Sequence, residues 1–327
     1  MVPPRCRRQL RDGALRRAPR SREAKWLIAG LASATLAGVG GLSTVKARTT
    51  TPRALPTQPA VGEQVVTFVD PRRLIRRPGH RSEPRRLVTV IRYPLGAGGP
   101  VPLIVFGHGF AVTPATYSRL LDAWARAGYV VAAPVFPLSN AHAPGGPTRA
   151  DRFNQPWDMT VVISRMIGLS ARPRGTFAHL IDSRQIAVAG QSDGAETAFA
   201  TAFERHYLDT RVRAAMVFSG AEMPGGGGLT HSTPSPALLA VQGTADRINA
   251  PQYTLRLFSH SRRPKYLLKL LGAGHLPPYT GEQPQLSIVE RASVAFLDRY
   301  LEHRPGAGRQ LIAAGEVPHE AVLDAAP

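Results

Sequence analysis

The chain has 327 residues, of which 43% are hydrophobic and 7% aromatic, with 41 Lys and Arg against 22 Asp and Glu. That is enough apolar material for one large packed domain, and no internal period points to a solenoid. The only cysteine, Cys6, excludes an intrachain disulfide and any zinc site built on cysteines.

The net charge of +19 is unevenly spread. Residues 1–25 hold nine Lys and Arg against Asp12 and Glu23, and residues 70–92 hold eight Arg against Asp70 and Glu83. Neither cluster has aromatic side chains interleaved with its arginines, as a single-strand binder would need for base stacking, so no nucleic acid partner is expected. The first cluster flanks an apolar segment, and the second reads as an exposed loop.

That apolar segment is Trp26–Val45, a run of 20 uncharged residues between Lys25 and Lys46. It is long enough to span a bilayer as a helix, and its basic leading side puts the amino terminus in the cytoplasm and the remainder outside. Val45-Lys46-Ala47 resembles a signal-peptidase site, so both a cleaved signal peptide and an uncleaved anchor fit. Arg7-Arg8 is a weak twin-arginine signal. Export to the cell exterior, or to the outer face of the membrane, follows from either reading, and the membrane is expected as a partner only through this segment.

Past a Thr/Pro-rich linker, strands and helices alternate. Residues 64–69 and 87–92 read as early strands. Pro102–Phe106 is a continuous apolar run suited to a strand buried on both faces. Pro114–Gly128 has helical spacing, with Tyr117, Leu120, Leu121 and Trp124 on one side. Strands at Tyr129–Val135, Ile186–Ala189, Ala214–Phe218, Ala237–Val241 and Lys265–Leu271 alternate with helices at Pro156–Ser170, Asp193–His206, Pro251–Ser261 and Leu286–Leu301. The alternation predicts an α/β fold, a mostly parallel sheet with helices on both faces, whose site lies at the carboxyl ends of the strands. The expected segments are an N-terminal signal or anchor at 1–47, a linker at 48–63, a catalytic domain at 64–303 and a tail at 304–327.

The chemistry centres on Gly190-Gln-Ser-Asp-Gly194, which fits G-x-S-x-G where an apolar strand meets a small-residue helix. Such a turn is tight enough to strain the serine backbone and to exclude side chains two residues either side. Ser192 is thus the expected nucleophile. A serine hydroxyl needs a base, and in this arrangement the order is nucleophile, acid, histidine. His275, in Gly272-Ala-Gly-His275 after a strand, is the expected base. His260 and His303 read as solvated surface residues and His231 as an exposed loop residue, and neither these nor His206 and His319 sit in such a turn after a strand. Asp246, at the end of the strand–turn Val241–Asp246, is the expected acid, with Glu222 as its rival. An oxyanion hole needs two backbone N–H groups. Asp193 supplies one, and the loop Gly107-His-Gly-Phe110 supplies the other, from Phe110 first and Gly109 second. His108 is expected to hydrogen-bond its loop instead of carrying protons.

These four motifs in order resemble those of the bacterial α/β-hydrolases grouped with cutinase-like polyester hydrolases, chlorophyllases and platelet-activating-factor acetylhydrolases. The resemblance spans about Val65–Leu301. It matches Gly107–Phe110 to the oxyanion loop, Ser192 to the nucleophile, Asp246 to the acid and His275 to the base, and it places Asn154–Asp158 at the start of the helix before the nucleophile strand, with Asp158 structural. It implies an α/β-hydrolase fold with no large cap domain and a serine esterase acting through an acyl-enzyme on small-molecule or lipid-like esters, with no metal or organic cofactor. Two departures argue against a polyester substrate: no C-terminal disulfide can form, and Asp193 stands where an apolar residue is common. A peptidase or amidase of the same fold, and a non-catalytic surface protein built on it, are the rival readings. The sequence sets neither the ester nor the oligomeric state.

Overall fold

The computed structural model describes residues 59–77, 79, 81–230 and 234–327. Trp26–Val45 and His231 lie outside the described residues. Among the described residues no helix is long and apolar enough to cross a membrane.

Among the described residues nine strands form one sheet. In chain order they are β1 (Val61–Ile75), β2 (Glu83–Pro94), β3 (Val101–Gly107), β4 (Val130–Val135), β5 (Ile181–Gln191), β6 (Val212–Phe218), β7 (Ala237–Gly243), β8 (Lys265–Leu270) and β9 (Ala321–Ala326). Across the sheet the order is β1-β2-β4-β3-β5-β6-β7-β8-β9. The pairings from β4 to β8 are parallel, while β1, β2 and β9 join antiparallel at the two ends. The α/β architecture expected from the alternation is therefore present, with antiparallel borders added.

Successive residues of a strand point to opposite faces, so a strand covered on both sides must be apolar throughout. In β3, Ile104 and Phe106 join the apolar cluster on one face of the sheet, which takes in Trp124 of α1 (Ser118–Arg126), Phe296 of α5 (Gln285–Tyr300) and Leu311 of α6 (Ala307–Gly315). Leu103 and Val105 pack on the other face against α2 (Gln155–Ser170) and α3 (Asp193–Phe203), through Met159, Ile163 and Phe199. Each such side chain, fully withdrawn from water, contributes about 1.5–3 kcal/mol. Local signals set the helix limits. Pro156 occupies the first turn of α2, and Pro251 opens α4 (Pro251–His260). Gly128, at φ +106°, ends the turn after α1. The helix expected from Pro114 begins as a short 3-10 turn, Pro114–Tyr117, before α1.

Two expectations change. Residues 304–327 are not a tail: they form α6 and β9, which pairs with β8 from Lys265↔Ala326 to Leu270↔Ala321. Small alternating residues there gave no apolar run to read. The basic stretch at 70–92 is not a loop either, since Asp70–Ile75 belongs to β1 and Glu83–Arg92 to β2. Arg85 within it is buried, clamped between Asp151 and Asp158.

Candidate active site

The carboxyl ends of β3, β5, β7 and β8 meet at one rim. β5 runs into Ser192, which sits at φ 57°, ψ −123° and begins α3. That conformation costs an L residue energy, so it persists only where the surroundings enforce it. Here the glycines do so: a Cβ on Gly190 would overlap the carbonyl of Gly194, and one on Gly194 would overlap the carbonyl of Gly107. The second constraint locks the elbow against β3 and brings the oxyanion loop alongside the serine.

β7 ends at Gly243, and Asp246 follows in the turn. Its Oδ1 accepts the amides of Ile248 and Asn249, each at 2.9 Å, and its Oδ2 accepts His275 Nδ1–H at 2.7 Å. Burial pushes the Asp246 carboxyl up, but these N–H groups outweigh it and hold the group below the ordinary carboxylate value. An ionised Asp246 fixes the proton of His275 on Nδ1, leaving Nε2 free to accept. Ser192 Oγ lies 2.9 Å from that Nε2. Glu222, the rival acid, instead pairs with His260 at 2.9 Å on the surface.

The oxyanion expectations divide. The Asp193 amide is in the first turn of α3, where N–H groups have no partner within the helix. Phe110 follows the β3 loop, and its amide donates to no backbone acceptor among the described residues. Gly109 is corrected: its N–H donates to Tyr117 Oη at 3.2 Å and is not free for an oxyanion. His108 is fully buried and bridges two segments, with Nδ1–H donating to the Gly109 carbonyl at 2.7 Å and Nε2 accepting the Phe136 amide at 2.9 Å.

Burial pushes His108 down to about 4, against a weaker upward pull from the Gly109 carbonyl. In the unfolded chain a histidine titrates near 6.5. The folded value is depressed, so the stability His108 contributes is complete above about pH 6.5 and is lost as pH falls through about 4, roughly 3 kcal/mol in all. Denaturant unfolding at a series of pH values is expected to show this acid loss in the parent and a shallower one in His108→Gln. Equal slopes would rule the assignment out.

Four further residues at the site, Arg149, Glu196, Gln191 and Tyr117, were not singled out as functional by any local pattern. Arg149 pairs with Asp193 at 2.7 Å and with Glu196 at 3.3 Å. The Asp193 carboxylate, beside the amides expected to bind an oxyanion, is therefore turned away and neutralised by a guanidinium from the segment before α2. Burial and then the Asp193 charge push Glu196 up to about 7. Gln191, the residue before the nucleophile, and Tyr117 join the oxyanion loop to the histidine loop. Only long-range contacts connect these positions, so no local pattern could have revealed them.

The sheet, the elbow and the carboxyl-end rim define an α/β-hydrolase. The chlorophyllase family model matches residues 69–222, from β1 through the elbow to the loop after β6. Over that range the chain is similar to chlorophyllases, an α/β-hydrolase-like family, as the motifs led us to expect, and it is accordingly a hydrolase. The match includes Gly107–Phe110 and Ser192, whereas Asp246 and His275 lie beyond it. No curated protein matches the chain.

Proposed function

We propose that the protein is a serine esterase that cleaves carboxylic esters through an acyl-enzyme. One observation carries this reading: the imidazole of His275 is within hydrogen-bond reach of both Ser192 Oγ, at 2.9 Å, and Asp246 Oδ2, at 2.7 Å. In the first half-reaction Ser192 Oγ attacks the ester carbonyl while His275 Nε2 takes its proton. Asp246 holds the tautomer and stabilises the imidazolium. The amides of Phe110 and Asp193 are suited to receive the oxyanion. The imidazolium then protonates the leaving alcohol. In the second half-reaction water attacks the acyl group, with His275 again the base, and releases the acid. The likeness to chlorophyllases supports an ester over an amide, and the half-buried position of Ser192 supports a small-molecule or lipid-like substrate that reaches an open rim.

A fluorophosphonate probe tests the reading, because it phosphonylates only an activated serine. Stoichiometric labelling, mapped to Ser192 by peptide mass, is expected together with hydrolysis of short p-nitrophenyl esters. No labelling under conditions where the protein is folded would refute the proposal, and faster cleavage of a matched amide than of its ester would favour a peptidase.

A further inference from the structure

The residue before the nucleophile carries a buried side chain for which the reaction outlined above has no use. Gln191 is 1% exposed, and its carboxamide lies between the oxyanion loop and the histidine loop. Its orientation is fixed by its partners. The His275 carbonyl can only accept, so the atom 2.9 Å from it is Nε2. Oε1 then faces Tyr117 Oη at 2.8 Å. Tyr117 Oη accepts the Gly109 N–H at 3.2 Å, which leaves its own proton for Gln191 Oε1. One directional chain thus runs from the Gly109 amide through the Tyr117 hydroxyl and the Gln191 carboxamide to the His275 carbonyl. Every donor and acceptor along it is matched. The fit is close, for a Cβ on Gly109 would come within 2.8 Å of Gln191 Oε1 and 3.2 Å of Tyr117 Oη.

The ends of this chain are functionally opposite. Gly109 immediately precedes Phe110, whose amide is the first-choice oxyanion donor, and the His275 carbonyl belongs to the residue that bears the base. Gln191 Nε2 also lies 3.2 Å from His275 Nε2, the nitrogen that Ser192 Oγ reaches at 2.9 Å. We infer that Gln191 and Tyr117 are positioning residues that fix the spacing between the oxyanion donor and the catalytic base, so that both act on one carbonyl carbon. This inference rests on the esterase reading. Matched geometry in the transition state raises turnover more than binding, and misplacement by about 1 Å can cost on the order of 100-fold.

The test uses Tyr117→Phe, Gln191→Met and the double variant, each titrated with the fluorophosphonate so that rates refer to intact sites. Each single variant is expected to lower kcat on p-nitrophenyl butyrate by about 10- to 100-fold with KM within about twofold, and the double variant to be little worse than the poorer single, because one chain is broken either way. Tyr117→Phe keeps the ring and its packing against Phe106, so it guards against a folding artefact in Gln191→Met. Titrated variants with kcat within twofold of the parent would overturn the inference while leaving the esterase standing. Losses that multiply in the double variant would also overturn it. A parent that turns over no ester and takes no label would remove both.

Discussion

Ser192→Ala and His275→Ala are each expected to lower kcat for ester hydrolysis by at least about 10⁴-fold, and the double variant to be no worse than either alone. The second half of that expectation is the informative one. A hydroxyl without its base is a poor nucleophile, and a base without the hydroxyl has nothing to deprotonate, so the two act as a unit whose losses do not add. Asp246→Asn is expected to fall on the order of 10⁴-fold as well, because an amide at 2.7 Å from Nδ1 no longer dictates which ring nitrogen carries the proton. KM should change much less than kcat, since none of these three side chains binds the substrate more tightly in the ground state. Steady-state kinetics with background hydrolysis subtracted, alongside a check that each variant melts with the parent, measures this. Additive losses from Ser192→Ala and His275→Ala would mean that the two groups work independently, and the mechanism would then be wrong.

Arg85→Met is expected to destabilise the fold by about 3–5 kcal/mol, more than any exposed arginine could. Its guanidinium grips Asp158 through Nε and Nη2, both at 2.7 Å, and Asp151 through Nη1 at 2.8 Å and Nη2 at 2.6 Å. All three side chains are 2% exposed or less. Removing the arginine leaves two carboxylates in the interior, with Arg73 reaching only Asp158. Burial already pushes Asp158 up against the opposing pull of Arg85, so losing Arg85 drives it further in that direction. The deficit should therefore shrink as pH falls and the carboxylates take up protons, and Arg85→Met combined with Asp151→Asn and Asp158→Asn should recover part of it. Denaturant midpoints across pH read all of these effects. A deficit that stays constant across pH would show that the lost stability is packing, not charge. Because Asp151 sits in the same turn as Arg149, the network also holds in place the guanidinium that neutralises Asp193.

The parts of the proposed site that local chemistry dictates were legible in the sequence. Ser192 could be placed in an elbow because a strained turn demands glycines two residues to either side, and His275 and Asp246 could be placed at the carboxyl-end rim because each follows a strand whose apolar run is continuous. Gly109 was misjudged as a donor because nothing around residue 109 announces a hydroxyl arriving from residue 117. The arginines at 70–92 looked solvated because a run of positive charge usually is; the acids that bury Arg85 are far along the chain, at 151 and 158. β9 was missed for the opposite reason. Its alanines have little strand preference, and the strand forms because β8 offers a bare edge.

That edge has a bearing on biosynthesis. On the ribosome β8 emerges well before β9, so for a time the sheet ends in a row of unsatisfied amides and carbonyls open to any passing nascent chain. The sequence of β8, Lys-Tyr-Leu-Leu-Lys-Leu, places a lysine near each end of that row, and a charge on an edge discourages illegitimate pairing. Once β9 arrives, Lys269 takes Asp324 as its partner at 3.0 Å, so the sentry of the unfinished sheet becomes a clasp of the finished one.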